Sequence, residues 1–216
     1  PVDFAAWEQA GAKGWSWEEV LPYFVKAERQ QTHDDGLHGT DGPLHVQDVV
    51  DKRPIQETFL DAMEEQGVPR NDDFNGIDQA GCGHYQFTQK NGRRWSTSSA
   101  YLNPARGRRN LEIRTKVQTK RIIFEEKRAV GVETERSGRS ETIRARHVIV
   151  SCGAIGSPQL LELSGVGDSA RLSALGIDVH HHLPDVGEHL QDHLLCKVVY
   201  GTHADLSINR EVSGAR

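Results

Sequence analysis

The chain has only three cysteines in 216 residues (Cys82, Cys152 and Cys196), and no two of them form a CxxC pair. They sit far apart and read as reduced thiols in a cytoplasmic protein, so a disulfide framework is not expected. Long apolar runs are missing as well. None approaches the roughly 20 residues that cross a bilayer, so no transmembrane segment is expected, and a peripheral membrane association stays open. No excess of basic charge exists: the net charge of −5 and pI near 6.1 disfavour a nucleic-acid-binding surface. Internal repeats and low-complexity tracts are absent. The chain opens at Pro1 without an initiator methionine and closes at Arg216 without an element pattern, so a longer parent protein is expected.

What is present alternates between helical and extended patterns. Residues 4–14 give a short helical pattern. Ser16 caps a second helix, with Glu19 completing a capping box and Val20, Leu21, Phe24 and Val25 as its apolar face. Residues 54–66 form another amphipathic helix, with Ile55, Phe59, Ala62 and Met63 at helical spacing. Residues 33–42 and 71–83 are rich in glycine, asparagine and aspartate and read as loops. An extended stretch at 84–89 leads to a turn at Asn91-Gly92, and residues 96–102 suggest a short helix. Residues 111–113 read as a strand, 119–124 and 129–135 as a hairpin, and 142–150 as a returning strand. Residues 172–175 read as helix, 177–181 as extended and 195–200 as a last strand. The pattern predicts an α/β fold with an α+β appendage.

One segment is more specific than the rest. The apolar run His147-Val148-Ile149-Val150 enters Ser151-Cys152-Gly153 and then Ala154-Ile155-Gly156-Ser157-Pro158-Gln159-Leu160-Leu161-Glu162-Leu163-Ser164-Gly165-Val166-Gly167. A strand ending in small residues lets a ligand approach bare backbone. Ser157-Pro158 is expected to start the helix, Leu160, Leu161 and Leu163 to bury it, and Ser164-Gly165 to stop it. This string resembles the second signature of the glucose–methanol–choline (GMC) flavin oxidoreductases. Further landmarks follow in the family's order. They include Gly14-Trp15-Ser16-Trp17, Asp41-Gly42-Pro43-Leu44, Asp73-Phe74-Asn75-Gly76, Arg94-Trp95-Ser96-Thr97 and Asp185-Val186-Gly187-Glu188-His189-Leu190-Gln191-Asp192-His193.

The resemblance implies part of a Rossmann-like FAD-binding domain interleaved with part of a substrate-binding domain. Residues 1–30 would be a helical part of the FAD-binding domain and 31–100 mainly a substrate-binding segment. Residues 101–193 would return to the FAD-binding domain, and 194–216 would begin a second substrate segment. The family's GxGxxG is missing. The local match Gly165-Val166-Gly167 follows a helix, so it reads as a helix end and tight turn. The family's catalytic histidine also lies outside the chain, so no catalytic residue is assigned, and the chain resembles the middle of a longer enzyme.

Ser151, Cys152, Gly153 and Ala154 match the triplet and following residue that approach the FAD ribose and pyrophosphate; a tight turn without ligand is the plainer alternative. Thr119 matches the position whose backbone meets the adenine, or is an ordinary edge-strand threonine. Gln191-Asp192-His193 is expected to brace the join between domains by hydrogen bonds. His180-His181-His182 alternate faces and cannot share one ion, and Asp34, Asp35, Asp72 and Asp73 read as solvated turn residues, so no metal is assigned. Trp15 and Trp17 are expected as core anchors. His84, Tyr85 and Phe87 could line the substrate side or simply pack.

The resemblance implies oxidation of a primary alcohol to an aldehyde, with FAD taking the hydride and oxygen, a quinone or a dye as electron acceptor. Choline-oxidising members carry a glutamate where counting places Gly201, so an uncharged alcohol is preferred over choline. A choline dehydrogenase remains an alternative. So does a non-catalytic nucleotide-binding or interaction protein on a flavoprotein fold. The chain alone is expected to be inactive.

Overall fold

Ser16 sets the entry of the chain into its first long helix. Helix α1 (Val2–Gln9) leads to α2 (Trp17–Ala27), where Ser16 Oγ accepts from the Glu19 backbone N–H at 3.3 Å and Glu19 Oε2 accepts from the Ser16 backbone N–H at 3.2 Å. That is the reciprocal cap expected from the sequence. Val20 is buried on α2, while Phe4 meets Trp7, Trp17 and Phe24 at ring distances of 5.4, 5.8 and 5.8 Å. Trp15 is half exposed and stacks edge-on to Trp7 instead of anchoring a core. Phe4, Trp7, Trp15, Trp17 and Phe24 thus form one aromatic cluster, in which Trp7, Trp15 and Phe24 are exposed.

The computed structural model describes residues 1–201 and divides them into two compact units, Pro1–Leu111 and Glu112–Gly201. In the first, α2 runs into β1 (Glu28–Gln30), which pairs in parallel with β2 (Leu44–Val46). The intervening loop folds back onto the end of α2. The Gln30 N–H donates to Gly39 O at 2.7 Å, and a Cβ at Gly39 would lie 1.8 Å from Val25 O, so only glycine fits. Helix α3 (Pro54–Glu65) buries Leu60, whereas Phe59 is exposed. Its inward face is thus turned by one residue from the spacing read in the sequence, toward Cys82, whose Sγ reaches Leu60 O. Strands β3 (Gln89–Lys90) and β4 (Arg93–Arg94) close over Asn91-Gly92, both with positive φ, as a two-residue hairpin requires. Trp95 Nε1 donates to Pro43 O at 2.8 Å. A π-helical turn (Ser98–Leu102) and α4 (Asn103–Ala105) follow.

The second unit is built on an antiparallel meander of β5 (Gln118–Glu125), β6 (Arg128–Arg136) and β7 (Arg139–Arg144). Three expectations fail around it. Residues 111–113 form no strand. The strand expected over 142–150 ends at Arg144; the Ala145 N–H still donates to Val130 O at 2.9 Å, and residues 146–150 continue outside any strand ladder among the described residues, with Ile149 88% exposed. Residues 195–200 are likewise irregular and exposed. A strand is defined by the ladder beside it, and no described segment supplies one there.

Helix α5 (Gly153–Leu163) begins four residues before Ser157, so Pro158 sits inside it and cannot donate to the Ala154 carbonyl. Ser157 still serves the helix start, because its Oγ accepts from the Cys152 N–H at 3.0 Å. Leu160 is buried, but Leu163 is half exposed. Gly165 ends the helix at φ 82°, and a Cβ there would lie 2.4 Å from Asp178 O. Strand β8 (Val166–Gly167), helix α6 (Ser169–Ala174) and β9 (His181–His182) complete the unit, with β8 and β9 parallel. Asp168 Oδ1 caps α6 by accepting from the Arg171 N–H at 2.8 Å. Mixed helix and strand are therefore present as read. Among the described residues, no helix is long and apolar enough to cross a membrane.

Leu172 is the fully buried large side chain of this unit. Leu172→Ala is expected to destabilise by about 2–5 kcal/mol, against less than about 1 kcal/mol for Leu163→Ala. Denaturant midpoints of the two variants check this; equal losses would contradict the packing described.

Candidate cofactor site

The turn that opens α5 is the candidate site. Ser151, Cys152, Gly153 and Ala154 are all exposed, and Gly153 takes φ 84° with nothing within 4 Å of a Cβ built on it. Glycine is needed at this point for its left-handed backbone and not for lack of space, since a β-branched residue at positive φ is strongly disfavoured. The first amides of a helix lack intrahelical acceptors and carry the positive end of its dipole. The Cys152 amide is already taken by Ser157, which leaves the amides after it as the groups facing outward. Cys152 itself caps the helix with no side-chain hydrogen bond.

A cleft of about 320 Å³ adjoins this turn, lined by Ala154, Ile155, Pro158, Glu162, Glu188 and Leu190 among others. Its far wall is held by Arg171, which donates to Glu188 Oε1 at 2.5 Å, Glu162 Oε1 at 2.6 Å and Val186 O at 3.1 Å. Hydrogen bonding to Glu188 is the leading cause that holds the Arg171 guanidinium protonated more firmly than usual. Two landmarks far apart in sequence, the signature helix and Asp185-Val186-Gly187-Glu188, thus form one wall.

Thr119 lies on β5, half-buried and paired with Thr134. The ladder slips between Thr119 and Arg121, leaving Lys120 as the extra residue of a bulge, a local device that re-aims a backbone. Strand β5 is fastened to α5 through Ile122, whose N–H donates to Ser164 Oγ at 2.8 Å. Ser164 stands at the opposite end of the 11-residue helix from Gly153, about 16 Å away along the axis. Thr119 and residues 151–154 share a unit, but no described hydrogen bond joins them.

Other candidates separate. His180 stacks on Phe124 at 4.3 Å, while His182 Nδ1 accepts from the Ser169 N–H at 3.1 Å, so these two histidines serve different contacts. Asp192 Oδ1 accepts from the His193 N–H at 2.9 Å, and Gln191, Asp192 and His193 are all exposed. His84 Nε2 meets Glu57 Oε1 at 2.8 Å, which ties the 84–89 stretch to α3. That hydrogen bond, more than any other cause, holds the Glu57 carboxyl below its ordinary value.

One cluster was not legible beforehand. His38 is buried between Glu28 and Asp73, and Asp73 is not the solvated turn residue expected, since its side chain is 14% exposed. A Cβ at Gly76 would crowd Asp73 Oδ2 at 2.6 Å, so the Asp73-Phe74-Asn75-Gly76 landmark leaves room for this contact. Asp35, His38 and Asp73 bring ligand-type atoms within 4.8 Å of one another, but hydrogen bonds already engage each residue and no cation is assigned. The landmarks around Gly42 and Gly76 were the only signal in the sequence.

Comparison with known proteins bears on all of this. A family model described as GMC oxidoreductase matches residues 1–195. The chain is 48% identical over 193 residues to an oxygen-dependent choline dehydrogenase of Sinorhizobium fredii, covering 89% of this chain and 35% of that protein. It is 43% identical over 196 residues to an alcohol dehydrogenase (acceptor) of Pseudomonas putida, covering 89% and 36%. Among solved structures it is similar to pyridoxine 4-oxidase from Mesorbium loti, with a TM-score of 0.78 and 32% identity, covering 86% and 37%. The chain spans about a third of the length of the curated relatives it matches.

Proposed function

This chain belongs to the GMC oxidoreductase family, and on that premise we propose that it is part of an enzyme that oxidises a primary alcohol to an aldehyde. FAD is the cofactor of the family. The observation that carries the reading is the bare, positive-φ turn at Gly153, which opens a helix beside a cleft. The residues present fit an anionic dinucleotide: exposed small side chains, outward helix-start amides and no acidic residue within Ser151–Ala154. Gly153 and Ala154 would hold the pyrophosphate and ribose side by backbone, with Ser151 and Cys152 shaping the approach. The bulged backbone at Thr119 would meet the adenine. When bound, FAD supplies the acceptor for the hydride of the carbinol carbon.

The same reading divides the chain into flavin-side residues 1–30 and 101–193 and substrate-side residues 31–100 and 194–216. It places the proton-accepting base outside this chain and the protein in the cytoplasm. The electron acceptor is oxygen, a quinone or a dye. For the substrate we favour an uncharged alcohol, because Gly201 offers no charge to a quaternary ammonium. Choline is the second reading, favoured by similar relatives that are oxygen-dependent choline dehydrogenases.

Two variants of the intact enzyme separate the cofactor reading from a merely structural glycine. Asparagine tolerates positive φ, so Gly153→Asn is expected to fold with a Tm near wild type yet lose most bound flavin, whereas Gly153→Val loses both. Full flavin loading in Gly153→Asn would remove the turn from the cofactor site. The substrate reading is checked by steady-state kinetics. Gly201→Glu is expected to raise the ratio of kcat/KM for choline over a medium-chain alcohol, and a wild-type enzyme that already prefers choline would contradict it.

A further inference from the structure

The His38 side chain is 3% exposed, and both its ring nitrogens meet carboxylates: Nδ1 lies 2.9 Å from Glu28 Oε2 and Nε2 lies 3.0 Å from Asp73 Oδ2. A neutral imidazole has a single N–H. In that form, one of the two contacts sets a nitrogen lone pair against a carboxylate oxygen. Only the imidazolium donates to both. The two acceptors belong to different parts of the chain, since Glu28 opens β1 and Asp73 stands 35 residues after His38. From these contacts we propose that His38 is a proton-operated latch: its protonated form clips the turn around Asp73 to the α2–β1 corner, and loss of the proton frees that turn.

The two arms are not equally braced. Glu28 Oε2 also accepts from the Gly39 N–H at 3.2 Å, so the Glu28 arm keeps a backbone tie whatever the ring does. Asp73 Oδ1 accepts from the Asn75 N–H inside its own turn, and Oδ2 looks to His38. A neutral ring that retains Nδ1–H on Glu28 therefore gives up Asp73. The titratable groups facing the ring are Glu28 from β1, Asp73 from its turn, and Asp35 and His33 from the loop that carries His38. Asp35 Oδ1 accepts from the Leu37 and His38 N–H groups, which fixes the carboxylate near the ring and, through the Leu37 bond first, keeps it ionised.

Burial opposes the charge on His38, but the hydrogen bonds to Glu28 and Asp73 outweigh it and raise the ring above its ordinary value. Because the native value is raised, the latch contributes fully below the ordinary histidine pKa of about 6.5 and is lost as pH climbs through the native value. On the division proposed above, it would fasten a flavin-side strand to a substrate-side turn. The latch itself rests on the contacts alone, so its failure would leave that division standing.

Amide hydrogen exchange on the full-length protein, corrected for intrinsic chemistry, reads the latch at residues 71–83. Protection there is expected to fall several-fold as pH rises from 5.5 to 9, while the amide of the buried Leu172 stays level. In Asp73→Asn the amide Nδ2 can donate to a neutral Nε2, so protection is expected to persist across the range. The ring carbon of His38, followed by NMR in the wild type, should titrate above the ordinary value. Flat protection in the wild type, the same pH step in Asp73→Asn, or a ring that titrates at or below the ordinary value would each overturn the proposal.

Discussion

Backbone approaching backbone is the constraint on which this structure depends. The loop after β1 can lie against the end of α2 only because Gly39 brings no Cβ to Val25 O. The chain can turn from α5 into β8 only because Gly165 leaves room for Asp178 O. Neither contact is between side chains, so neither is visible as a hydrophobic pattern. Each costs conformational freedom in the unfolded chain and is repaid by hydrogen bonds, Gln30 to Gly39 in one case and His180 to Gly165 in the other. Gly153 differs. Nothing crowds it, and its positive φ leaves a stretch of backbone uncovered. A glycine required by its neighbours holds the fold; Gly153, required only by its own dihedral at an exposed helix start, leaves bare the backbone to which the proposed function assigns the cofactor.

Burial is unevenly spread across the chain. Leu172 and Leu160 are well covered, and so is Ile122, whose amide is fastened to Ser164. By contrast Ile149, Leu195, Val198 and Val199 are largely exposed. These exposed residues fall in the two segments whose apolar sequence reads as strand and which have no ladder among the described residues. Apolar side chains in such numbers on a surface normally mark a face that something else covers. In the functional reading the covering partner is the remainder of the flavin domain, and the α5 turn then stands at the carboxyl end of a parallel strand, where α/β sheets place their ligands.

Local chemistry was legible in the sequence, and distant pairing was not. The Ser16–Glu19 cap needs atoms three residues apart and appears as read. The β5–β6 hairpin, with its short turn at Glu126-Lys127, also appears as read. The Gly165 stop is equally local. Helix α5 was misplaced at its start because Pro158 is an ordinary first-turn residue in most contexts; here Ser157 caps from inside the helix by reaching back to Cys152. Trp15 was expected in a core because aromatic size favours burial, but it lies half exposed against Trp7, while Trp17 is partly covered between Phe4 and Phe24. His38 and Asp73 lay in two loops with no periodicity, so only folding could bring them together.

The most direct test of the cofactor reading is a structure of the full-length protein with FAD bound. Backbone N–H groups at Gly153 and Ala154 should lie within about 3.2 Å of pyrophosphate or ribose oxygens, or share a single ordered water with them. A structure in which FAD occupies the protein and this turn lies beyond that reach would contradict the account.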